Sequence, residues 1–288
     1  MTRMSREAVF LTGANGGIGR ATVARLSGTG LRVFAGVRDR ATAAVFDGLD
    51  GVESVHVDVA DDASVATAAR EVERRLGGDR LAAVVNNAGI IVQGPLEQVP
   101  PAELERQFRV NVLGPASVIR AFGELIRRDG ARVVNVSAPT ARRAVPHLGA
   151  ISASKAALEA LSAALRVELA PWGCDVVIVE PTAAETGVFA AAAESARAVQ
   201  GEVPSSVRDA YREQCAAVER ATEKQSLADP DSVAAVLVRA ITARRPRTVY
   251  FAGRGARVLP MLSALPDRMG DRLVAGSFGL DARVRRQS

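Results

Sequence analysis

Seven short, continuously apolar runs alternate with longer segments of helical pattern, and that alternation leaves few folds open. The runs are Ala8–Thr12, Arg32–Gly36, Val52–Val59, Leu81–Asn86, Arg132–Ser137, Asp175–Glu180 and Thr248–Ala252. Each is short for a helix and reads as a buried strand, although Val52–Val59 carries Glu53, Ser54, His56 and Asp58 among its valines. Helical patterns lie near Arg20–Ser27, Asp62–Leu76, Pro101–Arg128, Ser152–Leu169 and Asp231–Ala243. Asp61 and Asp62, and Pro100 and Pro101, are suitable helix starts. Doubly buried strands joined through helices predict an α/β fold. It is a doubly wound parallel sheet of about seven strands with helices on both faces, spanning 1–288 as a single domain. Phe189–Gln225 breaks the alternation. It is rich in Ala, Glu and Arg and reads as one or two helices. An insertion after the C-terminal end of a strand lies on the ligand side of such a sheet, so residues 189–225 are expected to form a helical substrate lid.

The first run leads into "LTGANGGIGRATVARL" and then a helix. Gly13, Gly17 and Gly19 permit a tight turn and close backbone approach, and Ile18 lies between the last two. The helix N-terminus beyond them offers free N–H groups and a positive dipole to a pyrophosphate. Strand before and helix after are the context that gives such a glycine pattern meaning, so the sequence predicts a Rossmann-type dinucleotide site. The second strand ends in Val37-Arg38, where a ribose-binding acid would otherwise stand. A guanidinium there suits a 2′-phosphate, with Asn15 and Arg40 placed to assist, and favours NADPH/NADP over NAD(H).

Composition removes several other functions. The net charge is +5, but the cations are scattered arginines with acids among them, and aromatics make up only 4%. No clustered basic, aromatic-backed surface for nucleic acid follows from that pattern. Cys174 and Cys215 have no metal-ligand spacing, so no metal is expected, and they fit a reducing cytoplasm. No apolar stretch is long enough for a membrane helix, so the expectation is a cytoplasmic protein with a small-molecule substrate. Small residues along 152–164 permit helix-to-helix packing in a homodimer, although burial within one domain explains them equally.

Taken together, several segments resemble the short-chain dehydrogenase/reductase family from Ala8 to Ala252. The resemblance rests on the Thr12-Gly13-x-x-x-Gly17-x-Gly19 turn, "HVDVAD" with Asp58 and Val59, and "NNAG" with Asn87, Ala88 and Gly89. It continues through Asn111 in "FRVNVLG", Lys155 in "SASKAALEAL" and "VEPTAAET" with Pro181, Thr182 and Thr186. It implies that Asp58 and Val59 contact the adenine. It implies that the Asn87–Gly89 stretch backs the adenine ribose, that Lys155 bonds the nicotinamide ribose, and that Thr186 binds the carboxamide. Thr182 stands where the family usually has glycine. Lys155 gains weight because it is one of only two lysines in the chain.

The same alignment exposes two departures. The family's catalytic tyrosine falls on Ile151, and its catalytic serine, thirteen residues earlier, falls on Ala138. Ser137 is adjacent, but neighbouring residues at a strand end face opposite ways. Of the family's catalytic set, Asn111 and Lys155 remain. A lost general acid costs typically about 10²–10⁴-fold in rate, and a lost oxyanion donor about 10²–10³-fold. The proton then has three sources: His147 or Tyr211, a water held by Asn111 and Lys155, or the substrate's own phenol or enol. The last suits a flat polyphenolic ligand against an apolar Ala138/Ile151 wall. The expected function is therefore an NADPH-dependent ketoreductase for a polycyclic aromatic, angucyclinone-like polyketide carbonyl. The alternatives are a redox-silent NADP(H)-binding sensor and a non-redox cyclase or dehydratase on the same scaffold.

Overall fold

The computed structural model describes residues 6–199, 201 and 203–280. One seven-stranded parallel sheet runs through it in the order β3-β2-β1-β4-β5-β6-β7. Its strands are β1 (Glu7–Leu11), β2 (Arg32–Val37), β3 (Val52–His56), β4 (Arg80–Asn86), β5 (Arg132–Val136), β6 (Val176–Pro181) and β7 (Val249–Ala252). The order reverses between β1 and β4, which opens a crevice at their carboxyl ends, where such sheets bind ligands.

Successive residues of β1 divide between two cores, as the pleat requires. Ala8 and Phe10 join the core beneath α2 (Asp62–Leu76), α4 (Gly114–Ala121) and α5 (Gly123–Asp129), where Phe10 stacks on Phe122 at 4.4 Å. Val9 and Leu11 join the opposite core beneath α1 (Gly17–Leu26) and α9 (Pro230–Thr242). α6 (Gly149–Leu169) packs on β6 and is tied to β5, where Asn135 donates to Ser162 and Lys155 to the Val136 carbonyl.

The predicted strand Val52–Val59 ends early, at His56. The Asp58 N–H donates to Ser64 Oγ, and Asp58 Oδ1 accepts from Ala60, so the chain turns instead of extending. The helical pattern over 101–128 divides into α3 (Pro101–Phe108), a π turn at Arg109–Leu113, α4 and α5. Pro115 explains the break. It carries no N–H, so the carbonyl of Asn111 loses its i+4 donor. The insertion after β6 forms α7 (Val188–Val199) and α8 (Ser205–Glu223), with residues 200 and 202 outside the described set. Two helices follow β7 that the apolar pattern did not reveal, α10 (Val258–Leu262) and α11 (Asp267–Ser277).

Candidate active site

The turn after β1 is built for contact between backbones. Gly13 has φ of 64°, and a Cβ there would lie 2.8 Å from Cα of Ala88. Thr12 Oγ1 accepts the N–H groups of Asn87 and Ala88, both at 3.1 Å, and Asn87 Nδ2 donates to the carbonyls of Thr12 and Gly13. The loops after β1 and β4 are thereby joined across the crevice. Gly19 abuts the Gly13 carbonyl, while a Cβ on Gly17 would lie 2.5 Å from Cγ2 of Thr186. The segment after β6 therefore comes to the same turn. Gly16 caps α1 without any side-chain bond, and no acid occupies the first helical turn. Its N–H groups and positive end are free for an anion, which fits a pyrophosphate.

Beside that turn, Arg38 is exposed and forms no ion pair among the described residues. Its neighbour Asp39 is directed elsewhere, accepting the N–H of Ala41 at the start of a short 3₁₀ segment. Asn15 Nδ2 donates to Thr42 Oγ1 at 3.1 Å. Asp58 and Val59 lie at the mouth of β3, where Val59 packs against Gly114. Ile18 packs on the core shared by α1 and α9. Thr182, in place of the expected glycine, is accommodated by Gly253. There φ is 95°, and a Cβ would collide with the threonine hydroxyl.

At the other end of the crevice, Gly89 brings two groups together. A Cβ there would lie 3.3 Å from Asn111 Oδ1 and 3.7 Å from Lys155 Nζ. Lys155 is buried and donates to the Val136 carbonyl at 2.6 Å. Burial pulls its pKa down to about 8, against an opposing pull from Glu159. It remains mostly cationic at neutral pH. Asn111 is fully buried, and its amide is already engaged. Oδ1 accepts from Ile90 N at 2.9 Å, while Nδ2 donates to Ile90 O at 3.0 Å and Ser154 Oγ at 3.3 Å. Asn111 Oδ1 keeps one acceptor site beyond the Ile90 N–H, on the side shared with Lys155 Nζ. Gln107 completes the clamp, accepting from Val92 N and donating to Ile90 O and Ser154 Oγ. Gln107 and Ser154 escaped sequence reasoning. The available signal was two amide side chains at i and i+4, Gln107 and Asn111, on a buried helix face.

The candidate proton donors are dispersed. Ser137 does not face the vacated serine position. It points to α6, where Oγ donates to Glu159 Oε1 at 2.6 Å. Glu159 belongs to a polar layer that includes Arg142 and the fully buried Glu180, which Arg142 reaches at 2.8 Å. Burial raises the Glu180 carboxyl above its usual range, with Arg142 opposing. Tyr211 hydrogen-bonds Glu97, which raises its pKa and makes it a tether for α8. Ala138 is half-buried and Ile151 is 8% exposed, and neither has a side-chain donor. His147 is different. It has φ of 63°, and its Nε2 is buried without a partner. Burial alone lowers its pKa. A left-handed backbone at such a residue costs on the order of 1–3 kcal/mol, and an unpartnered buried nitrogen about as much again.

The helices after β6 are tied down around this region. Ser195 of α7 bonds Glu103 and Arg106 of α3. Gln98 donates to the Val207 carbonyl of α8, and Val218 of α8 packs with Val145, Val274 and Phe278. Among the described residues, no helix is long and apolar enough to cross a membrane, and no group of side chains is arranged to hold a metal ion.

Comparison with known proteins agrees with this architecture. Residues 7–197 match the family model described as short chain dehydrogenase. A 3-amino-tetrahydro-pyrrolizinone reductase from Xenorhabdus hominickii is 33% identical over 65% of this chain, a match that spans 64% of that reductase. The 17-beta-hydroxysteroid dehydrogenase type 6 of Homo sapiens is 31% identical over 96% of this chain and 90% of its own. A short-chain dehydrogenase from Streptomyces avermitilis superposes with a TM-score of 0.71 at 25% identity, covering 98% of this chain and 100% of that one. On sheet order, turn geometry and these matches alike, the chain belongs to the short-chain dehydrogenase family.

Proposed function

We propose that this chain, an oxidoreductase by family, is an NADPH-dependent ketoreductase of a polycyclic aromatic ketone that carries a phenol beside the reacting carbonyl. The observation that carries the proposal is a contrast within one crevice. The turns that fit a dinucleotide are complete, whereas the two positions beside the reacting centre, Ala138 and Ile151, offer no proton and no oxyanion donor. Gly13, Gly17 and Gly19 would admit the pyrophosphate, Arg38 and Asn15 the 2′-phosphate, and Asp58 and Val59 the adenine. Lys155 and Thr186 would hold the nicotinamide end. Bound there, NADPH supplies the hydride.

The chain's own residues then position and exclude. Ile151 and Ala138 form an apolar wall suited to a flat ring system. Lys155 places a cation beside Gly89, and α7 and α8 serve as a lid that keeps water out. An internally hydrogen-bonded phenol polarises its own carbonyl, so the protein need only align the two, and alignment alone is worth about 7–11 kcal/mol at its best. The human relative is named for a steroid, also a flat fused-ring molecule. The paired loss of serine and tyrosine beside intact cofactor turns also resembles the angucyclinone ketoreductase of simocyclinone biosynthesis, a likeness that supports an antibiotic-polyketide substrate.

The test is NADPH oxidation by the purified protein with peri-hydroxytetralone and with its methyl ether. Reduction of the phenol and a loss of about 10²-fold or more on methylation are expected, the size of a general-acid contribution. Ala138→Ser/Ile151→Tyr should bring the methyl ether back. NADPH binding with no turnover of any hydroxylated aromatic ketone would return the chain to a silent cofactor binder.

A further inference from the structure

His147 is one of two histidines in the chain and the one non-glycine residue among those described with a positive φ. Its strain is not relieved by any bond to the ring, because Nε2 is both buried and unpartnered. A left-handed backbone and an unpartnered buried nitrogen at one residue point to a functional role.

Its place in the fold says which ligand. His147 lies in the loop between β5 and α6, the same loop that begins at Ala138. The position vacated by tyrosine, Ile151, is four residues further on, in the first turn of α6. The His147 carbonyl accepts the Gly94 N–H at 2.8 Å, which joins this loop to the one after β4 that also carries Gly89. On either side of it, Val145 and Leu148 pack in one cluster with Val218 and Ala221 of α8. The residue is thus held between the loops at the carboxyl ends of β4 and β5, in a segment that packs against the helices read as the lid, with its Nε2 buried.

We propose that His147 binds the substrate, its Nε2–H donating to the phenol oxygen beside the reacting carbonyl. This rests on the ketoreductase reading and deepens it. Hydride adds to the carbonyl carbon, and the π pair moves onto the carbonyl oxygen. That oxygen takes the phenol proton, so the phenol O–H bond breaks as the alcohol O–H bond forms. The phenolate left behind receives a charge-assisted bond from Nε2–H, stronger than the one made to the neutral phenol. Water returns the proton when product leaves. Burial keeps the ring neutral at pH 7, so it donates without bringing a charge into the apolar site.

His147→Gly and His147→Asn both tolerate the left-handed backbone, so the loop keeps its course. With NADPH and peri-hydroxytetralone, the glycine variant should lose about 10²-fold in kcat, the size of one oxyanion donor, and added imidazole should restore part of it. NADPH affinity should not change, and the methyl ether should be indifferent to the substitution. A second readout needs no turnover. In the NADP-loaded protein, saturation with peri-hydroxytetralone should shift the His147 Nε2 resonance in ¹⁵N spectra and leave exposed His56 unmoved. An unchanged kcat in the glycine variant, or an unmoved Nε2 at saturation, overturns the assignment. A wild-type protein that binds ketone and cofactor without turnover overturns the reductase reading, while the Nε2 shift still decides whether His147 meets the ligand.

Discussion

Lys155 is a cation kept where its surroundings resist charge, and that conflict has a measurable sign. The unfolded chain holds the lysine proton up to about pH 10.5, the folded chain only to about 8. Between those values the unfolded state binds more protons, so stability rises with pH across that window. Below it, the folded protein carries a penalty on the order of 3 kcal/mol from this one group, of which the bond to Val136 O is a partial offset. Lys155→Met should therefore stabilise the protein at pH 7 by about 1–3 kcal/mol in urea unfolding and flatten the rise between pH 8 and 10.5. It should also weaken NADPH binding. A variant less stable than wild type at pH 7 would show that the lysine is a structural bond and not a charge kept for a ligand. The scarcity of lysine singled out Lys155 in the sequence, and the structure buries it beside Gly89 and Asn111. Its neighbours Glu159, Arg142 and Glu180 were not legible there, because they meet only when α6 settles on β5 and β6.

The segment from α3 to α4 shows what local pattern conceals. Its apolar periodicity continues through 101–128, so the sequence reads as one helix. The interruption comes from a single missing N–H at Pro115, and the reason it is tolerated comes from elsewhere. Asn111 and Gln107 turn inward and satisfy Ile90 and Val92 in the loop after β4, as an added strand would. Asn111 is therefore a clamp that holds Gly89 and Lys155 in place, and a carboxamide matched to both the N–H and the C=O of Ile90. Asn111→Leu leaves the Ile90 N–H without its partner, while Gln107 still serves the Ile90 carbonyl. It should cost about 1–3 kcal/mol in denaturant unfolding and raise KM for NADPH. Asn111→Asp keeps the acceptor and loses the donors, so it should fall between. Equal stability of all three proteins would remove the clamp from the account.

Across the whole molecule, the residues proposed to face the cofactor come from chain segments far apart in sequence but at one edge of the sheet. The turns after β1, β2, β3, β4 and β6 all end there because parallel strands present their carboxyl ends together. Those turns were legible because each is a short motif whose geometry depends on its own backbone. Helices α10 and α11 were not, and neither was the engagement of Tyr211 with Glu97, because both depend on how distant segments pack. The proposal puts cofactor choice at the same edge. Arg38 is exposed, lacks an acidic partner among the described residues, and stands where an acid would favour the free ribose hydroxyl. A ligand that binds only the folded state stabilises it by about 2.7 kcal/mol at a hundredfold excess over Kd. Thermal unfolding thus reads the preference of the intact chain. NADPH should raise Tm more than NADH at equal concentration, and the difference should shrink as salt screens the exposed guanidinium. Arg38→Ala should reduce NADPH affinity about 10–100-fold, as loss of a charge-assisted bond does, and bring the two Tm shifts together by lowering only the larger. If NADH stabilises the wild-type chain as much as NADPH does, Arg38 is a surface charge and the coenzyme is not selected at this turn.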